Sequence, residues 1–445
     1  MPTHHPANSC GKADMPYPPR RLHSRMPRHA AAPAIHGPYP NAEDRRTGKG
    51  GAAPRARRLL AVLLAAVLVL APLSPVHAAP PDVLPLTVTN GSGRAGPVHL
   101  YIVGTDIATG RLGYVDASGA FHPWPAGSIP PSPAPDVSIG GPAAGAATTV
   151  RVPRGLSGRV YFSFGEKIRF FLTPTGLVQP APWNPSDPNH DVIFDWSEFT
   201  YNDDGLWLNS SQVDMFSIPH SVAVTNGAGA TTRTGVLVPN GRERIFNAVQ
   251  GQAGDWTSLI TTRSDGLRLR VLSPAKGIDA GVFSPTYLDG YISSAWDTYR
   301  TRALTVVPFQ HEPQKRFTGR TGADGVMRFT DGTGATVASF QKPSTKDVFG
   351  CDGRLHAPND TVVGPIARTL CAALHRSTLG YRHTQPTYDA GGFYTRDVTN
   401  HYSRIMHENM ADGRAYGFPF DDVGGFESLV HDGSPASAEI GLTRW

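Results

Sequence analysis

The chain has 445 residues, with 41 Lys and Arg against 36 Asp and Glu and a formal net charge of +5. That excess is local: residues 1–79 hold 11 of the 41 bases and three of the 36 acids, leaving 30 bases and 33 acids in residues 80–445. The high isoelectric point is therefore no argument for nucleic-acid binding, and the slightly acidic remainder is long enough for one large core or two domains.

Residues 1–54 are rich in Pro, His and Arg and have no apolar period. They read as a disordered extension, or as the product of a start codon placed too early, with Met26 or a later position the true start. Arg55, Arg57 and Arg58 then precede LLAVLLAAVLVLA at 59–71. That run has the length of a signal-peptide core and is too short to span a bilayer, so a membrane anchor is the weaker reading. Val76-His77-Ala78 places small residues before a cleavage expected between Ala78 and Ala79, or one residue later, and the Arg57-Arg58 pair is a loose match to a twin-arginine leader. Residues 55–78 are thus expected to be a signal peptide, and the protein to be secreted, extracellular and free of the membrane after cleavage. Two cysteines remain beyond it, Cys351 and Cys371. An even count in an oxidising compartment suggests a disulfide. A zinc site would want four ligands, and no CxxC or HExxH pattern accompanies them.

The body opens with LPLTVTNGSG, PVHLYIVGTD and RLGYVDASGAFHPW, short alternating runs broken by Asn-Gly and Ser-Gly turns. Residues 130–147 read as a Pro/Gly/Ala loop; TTVRVP, GRVYFSFG and IRFFLT follow as strands, then the loop PAPWNPSDPNHD. The strand pattern continues through 194–216 with a turn at 202–205, so residues 82–255 are expected to be mainly β, a sandwich or barrel. The character then changes. Apolar residues at helical spacing predict helices at 284–301, 359–379 and 395–413, the second with Val363, Ile366, Ala367, Leu370 and Leu374 on one face. Asn359 or Asp360 can cap that helix, though a later start with Pro365 in the first turn is also possible. Residues 256–413 are read as an inserted mixed α/β part, and 414–445 as a return to the β part.

The chemistry concentrates in FDWSEFTYNDDGLWLNSSQVDMF at 194–216, with six aromatics, four aspartates and a lone glutamate. On a strand, Trp196, Glu198, Thr200 and Asn202 share one face, and across a turn at Asp203-Asp204 the ring of Trp207 faces Thr200. One acid, hydrogen-bonding side chains and indoles suit a sugar, whose C–H face stacks on an aromatic and whose hydroxyls want Asn, Asp and Thr. Glycoside cleavage needs two carboxyls, one protonated and one ionised, and Glu198 and Asp214 are the candidates. Trp196 and Phe199 beside Glu198 suggest an apolar setting that would raise its pKa. Spacing alone leaves the pairing open. In a simple hairpin Glu198 faces Asn209, and Asp214 lies roughly 17 Å further on, so the chain must bend around Asn209-Ser210-Ser211 for the acids to meet. Otherwise each acid is a solvated strand residue or, at Asp203 and Asp204, a turn former.

This stretch resembles the signature segment of glycoside hydrolase family 64, the secreted β-1,3-glucanases that release laminaripentaose. GRVYFSFGEKIRFF, FGCDGRLHAPNDTVVGPIARTLCAALHRSTL and NHYSRIMHENMADGRAYGFPFDDVGG extend the likeness over essentially all of 82–445. The resemblance implies a thaumatin-like β-sandwich or barrel domain and an inserted mixed α/β domain flanking a wide acidic groove. It implies Glu198 as general acid and Asp214 as general base of an inverting reaction, with Thr200, Asn202, Trp207, Asp421 and Asp422 contacting substrate. It also implies β-1,3-glucan as the partner (curdlan, laminarin or fungal cell wall), with no cofactor and no metal; the protein is expected to be a monomer. Some relatives carry a carbohydrate-binding module, and none is expected here. The competing readings are a non-catalytic thaumatin-like glucan-binding or antifungal protein and a structural wall protein. His401 and His407, six apart on a predicted helix, fall on different faces and make no metal pair; His220 reads as a loop or core residue.

Overall fold

The computed structural model describes residues 79–445; the N-terminal extension and the expected signal segment lie outside them. Two sheets are built from β1 (Val83–Asn90), β2 (Val98–Asp106), β3 (Leu112–Val115), β4 (Phe121–Pro123), β5 (Ala147–Pro153), β6 (Leu156–Phe164), β7 (Ile193–Asn202), β8 (Gly205–Ser210), β9 (His220–Asn226), β10 (Thr231–Thr234), β11 (Leu429–Asp432) and β12 (Pro435–Leu442). One sheet runs β10-β9-β12-β1-β5; the other runs β11-β8-β7-β6-β2-β3-β4, with Ile139–Gly140 pairing onto β2. The ladders are antiparallel except for β1 beside β12. Both sheets stay open, so the sandwich-or-barrel alternative resolves as a sandwich.

The larger sheet is buried on both faces, which is why β7 reads IFDWSEFTYN rather than as a clean apolar–polar alternation. Ile193, Phe199 and Tyr201 of β7 point into the core between the sheets, where they meet Leu86 and Val88 of β1 and Ile440 of β12. Phe194 and Trp196 point the other way, into a second core shared with the helical part. That part carries α1 (Gly241–Gln250), α2 (Pro274–Asp279), α3 (Asp289–Thr301), α4 (Thr345–Gly350), α5 (Val363–His375) and α6 (His401–Glu408). A small sheet of Leu304–Val306, Phe317–Thr321, Met327–Thr330, Thr336–Phe340 and Thr384–Gln385 lies among them in sequence.

The three expected helices form, each shorter than its apolar pattern. Asp360 takes the amides of Val362 and Gly364 at 3.0 and 2.9 Å, so the second begins late, with Pro365 in its first turn. The third starts where Asn400 accepts from Ser403 N. Helix α1 was not expected, because GRERIFNAVQ continues a stretch read as β; its buried Ile245, Phe246 and Val249 follow the helical period. The Cys351–Cys371 disulfide is present and ties the end of α4 to α5. The chain returns at β11 and β12, which join the two sheets begun by its first strands. Among the described residues no helix is long and apolar enough to cross a membrane.

Candidate active site

The β7–β8 hairpin sets the site. Glu198 pairs with Asn209 and Thr200 with Trp207, the expected register, and Asn202 pairs with Gly205 across the turn. Gly205 has φ +116°, and a Cβ there would lie 2.1 Å from the Asp432 carbonyl oxygen, so the turn and its contact with the next strand both require glycine. Trp196, Glu198 and Thr200 share a face; the helical part covers Trp196, whereas Glu198 and Thr200 lie just beyond that core, 8% and 7% exposed.

Glu198 faces Arg159 across the β6–β7 ladder. Arg159 donates from Nε at 3.1 Å and lies with Nη2 at 2.9 Å from the same oxygen, Oε1, while its guanidinium stacks 4.5 Å above the Trp196 ring. The setting of Glu198 is therefore not the apolar one expected: Phe199 points into the opposite core, and a cation holds the carboxylate. Beyond Ser210 the strand ends. Ser211 bridges to Tyr416, and Met215–Phe216 pairs with Arg268–Leu272, so the chain makes the bend that the two acids need. Arg159 Nη2 then reaches Asp214 Oδ2 at 3.6 Å, and Lys276 Nζ, from α2, reaches Oδ1 at 3.3 Å. One nitrogen lies 2.9 Å from Glu198 Oε1 and 3.6 Å from Asp214 Oδ2, so those oxygens are no more than 6.5 Å apart. Burial pushes the Asp214 carboxyl up, but Lys276 and Arg159 together outweigh it and hold the group below its ordinary value. Asp214 is thus an ionised carboxylate beside a second carboxyl, and the pair can supply the base and the acid of a glycoside hydrolysis.

The other expected contacts divide. Trp207 belongs to neither core cluster; its ring stacks on His431 at 4.2 Å on the Glu198 side of the sheet. Thr200 shares a 2.8 Å hydrogen bond with Ser157. Asn202 accepts from Asp204 N at 2.9 Å, so its carbonyl oxygen shapes the turn. Asp422 is half-buried near Arg368. Asp421 does not fit the expected role of a substrate contact. It is 0% exposed, and its oxygens are taken by Arg376 at 2.9 Å, His407 Nε2 at 2.9 Å and Gly417 N at 3.0 Å. A carboxylate so enclosed fixes the loop that presents Asp422. His407 serves that network while His401 packs edge-on against Trp256, and His220 is a buried core residue against Phe162.

Sequence reasoning missed Arg159 and Lys276. Arg159 had a signal, since it alternates with Tyr161 on a strand and an adjacent strand places it opposite Glu198. Lys276 had none; only the approach of α2 brings it to Asp214.

A sandwich whose larger sheet gathers two carboxyls around one guanidinium suits a carbohydrate-cleaving enzyme. Residues 82–442 match the family of β-1,3-glucanases, glycoside hydrolase family 64. A glucan endo-1,3-β-glucosidase of Cellulosimicrobium cellulans is 50% identical over 392 residues, 87% of this chain and 70% of the relative. One from Arthrobacter sp. (strain YCWD3) is 49% identical over the same shares. Among solved structures, a laminaripentaose-producing β-1,3-glucanase in complex with laminaritetraose aligns with TM-score 0.79 at 55% identity, over 82% of this chain and 99% of that one. A β-1,3-glucanase domain from Clostridium beijerinckii, 23% identical, shares the fold with TM-score 0.69 over 82% of this chain and 100% of that one. The chain belongs to glycoside hydrolase family 64 and hydrolyses β-1,3-glucan, which sets aside the non-catalytic and structural readings.

Proposed function

We propose that the protein is a secreted, monomeric enzyme that cleaves β-1,3-glucan with inversion and releases laminaripentaose. The observation that carries this reading is the single guanidinium of Arg159 lying against both Glu198 and Asp214. Glu198 donates a proton to the departing glycosidic oxygen. Asp214, kept ionised by Lys276 and Arg159, draws a proton from a water that attacks the anomeric carbon from the other side. Retaining enzymes separate their carboxyls by ~5–5.5 Å and inverting ones by ~6.5–9.5 Å. Because 6.5 Å is an upper limit, the Oε1–Oδ2 distance lies at or below the lower edge of the inverting range and does not select inversion. Inversion is supported by the family resemblance, and Asp214, ionised and with an acceptor free, can take the proton of a water. Secretion rests on the apolar run at 59–71 and on the disulfide.

Product analysis on curdlan with time-resolved anomeric NMR tests the mechanism and the product together. The first product should be the α-anomer of laminaripentaose. An initial β-anomer would mean a covalent intermediate and would remove the role given to Asp214, while a ladder of products would remove the pentaose specificity. Protein recovered from culture medium should begin at Ala79 or Pro80.

A further inference from the structure

Two carboxyls precede β11: Asp422, an expected substrate contact, and Glu427, which has no assigned task. Asp422 and Glu427 each bury one carboxyl oxygen, Oδ1 and Oε2 respectively, with no hydrogen-bond partner. Buried polar atoms in folded proteins are nearly always paired, so an orphaned carboxyl oxygen on the loop leading to the Trp207–His431 stack points to a donor that arrives with the substrate.

The register says which way Glu427 faces. Ser210 N donates to Ser428 O at 3.0 Å, which carries the β8–β11 ladder one residue past the strand. Exposure alternates along this edge: Ser428 and Val430 are buried, while Glu427, Leu429 and His431 are not. Leu429 pairs with Asn209 and His431 with Trp207, so the side of Glu427 is the side of Trp207 and Glu198. The buried Tyr416 hydroxyl is pushed up by burial first and then by the negative charges of Asp422, Glu198, Glu427 and Asp421, so all four carboxyls act on one group.

We propose that Glu427 is a substrate-binding, specificity-determining residue that holds a glucose hydroxyl in the subsite adjoining Glu198. The inference rests on Glu198 and Asp214 being the reacting centre. Burial first, then the negative charges of Asp422 and Asp421, push the Glu427 carboxyl up to about 7, opposed by Arg414. Asp422 is raised as well, by burial and by Asp421, against Arg368 and Arg376. At mildly acid pH Glu427 is protonated, and a neutral carboxyl both donates to and accepts from a sugar hydroxyl. As pH rises through about 7 it loses its donor and gains a charge opposed by those of Asp422 and Asp421, so glucan binding weakens on the alkaline side.

Steady-state kinetics on laminarihexaose from pH 5.5 to 8.5 test this with wild type, Glu427→Gln and Glu427→Ala, each with its Tm. Wild-type KM should rise above pH 7. Glu427→Ala should raise KM at pH 6 by about tenfold, the loss of one hydrogen bond to substrate, with kcat moving less. Glu427→Gln, neutral at every pH, should lose the alkaline rise in KM. An alanine variant with wild-type KM and a lowered Tm would make Glu427 a structural residue and overturn the proposal, as would an alkaline rise that persists in the glutamine variant. If the alanine variant does not fold, the pH profile of the glutamine variant decides alone. Glu198→Gln serves as control: if it retains activity, the reacting centre itself has been misplaced, whereas an inactive Glu198→Gln beside an unaffected Glu427→Ala removes only the present inference.

Discussion

Asp214 and Asp421 have the same side chain and the same kind of company, yet they do opposite work. Each faces two cations, Lys276 and Arg159 for Asp214, His407 and Arg376 for Asp421. In both, burial pushes the carboxyl up and the cations more than reverse it. The difference is in how tightly the oxygens are held. Asp421 has 0% side-chain exposure and contacts of 2.9–3.0 Å, two of them from side chains and one from a backbone amide. Asp214 keeps 16% exposure, and its cations stand back at 3.3 and 3.6 Å. A carboxylate with no exposed surface and both oxygens held by close donors can order a loop but cannot take a proton from water. One held at a distance stays ionised and keeps an acceptor free.

The largest break in this comparison comes from removing the chemistry. Asp214→Asn and Glu198→Gln should each lower kcat by about 10²–10⁴-fold while glucan binding persists. Their Tm should stay within a few degrees of wild type, because neither group closes a fully buried network. Kinetics on laminarin and a thermal melt read both effects, and a variant that is inactive because it is unfolded would erase the distinction drawn here. Asp421→Asn should do the reverse. Removing one charge from a buried, hydrogen-bonded set leaves Arg376 and His407 uncompensated, at a cost of about 3–5 kcal/mol in denaturant unfolding. The pH dependence follows from the signs. The Asp421 carboxyl is lowered, so its contribution is present above the ordinary carboxyl range and is lost as pH falls through the lowered value. Burial disfavours the His407 imidazolium, but Asp421 raises it above the ordinary value; its contribution is full below the ordinary imidazole range and is lost as pH rises through the raised value. Stability should therefore peak between the two, and the peak should flatten in Asp421→Asn.

Trp207 tests the same divide between groove and scaffold with an apolar side chain. Although only 6% exposed, it lies outside both core clusters and stacks on His431, so Trp207→Ala should weaken glucan binding by ~1–3 kcal/mol through lost stacking area. A core tryptophan would instead cost ~3–5 kcal/mol of stability. Melts with and without laminari-oligosaccharide separate the two; a large fall in the apo Tm returns Trp207 to the scaffold.

What could be read from the sequence follows the range of the forces involved. The β7–β8 register was legible because a two-residue turn and an alternating strand fix it locally, and the disulfide because the body holds only two cysteines. The bend that brings Asp214 back was recognised as necessary and could not be derived, since it depends on Ser211 meeting Tyr416 some two hundred residues later. Asp421 and Asp422 were adjacent letters with one expected role; burial separates them, and burial belongs to the fold rather than to the motif. Helix α1 was missed because a helix following many strands offers ten residues of period against a long β context.

The smallest expected effect is the most direct test of how Asp214 is held. Lys276 is the larger of the two favourable influences on that carboxyl and makes no hydrogen bond to Glu198, so it can be altered without touching the acid. Lys276→Met keeps an apolar side chain of similar length and removes the charge, together with the ammonium contact at 4.3 Å from the Trp183 ring centroid. Asp214 then loses one of two cations, and its folded-state pKa must move up. Because the base works only when ionised, the acid limb of the kcat/KM profile should shift to higher pH, while at pH 8 the rate should change by less than about tenfold, as for a partly exposed ion pair. Raising the salt concentration should move the wild-type limb in the same direction and the variant limb less, since the screened partner is already gone. A limb that stays in place would mean that Arg159 alone keeps Asp214 ionised, and that the two carboxyls of the groove answer to one shared guanidinium rather than to separate cations.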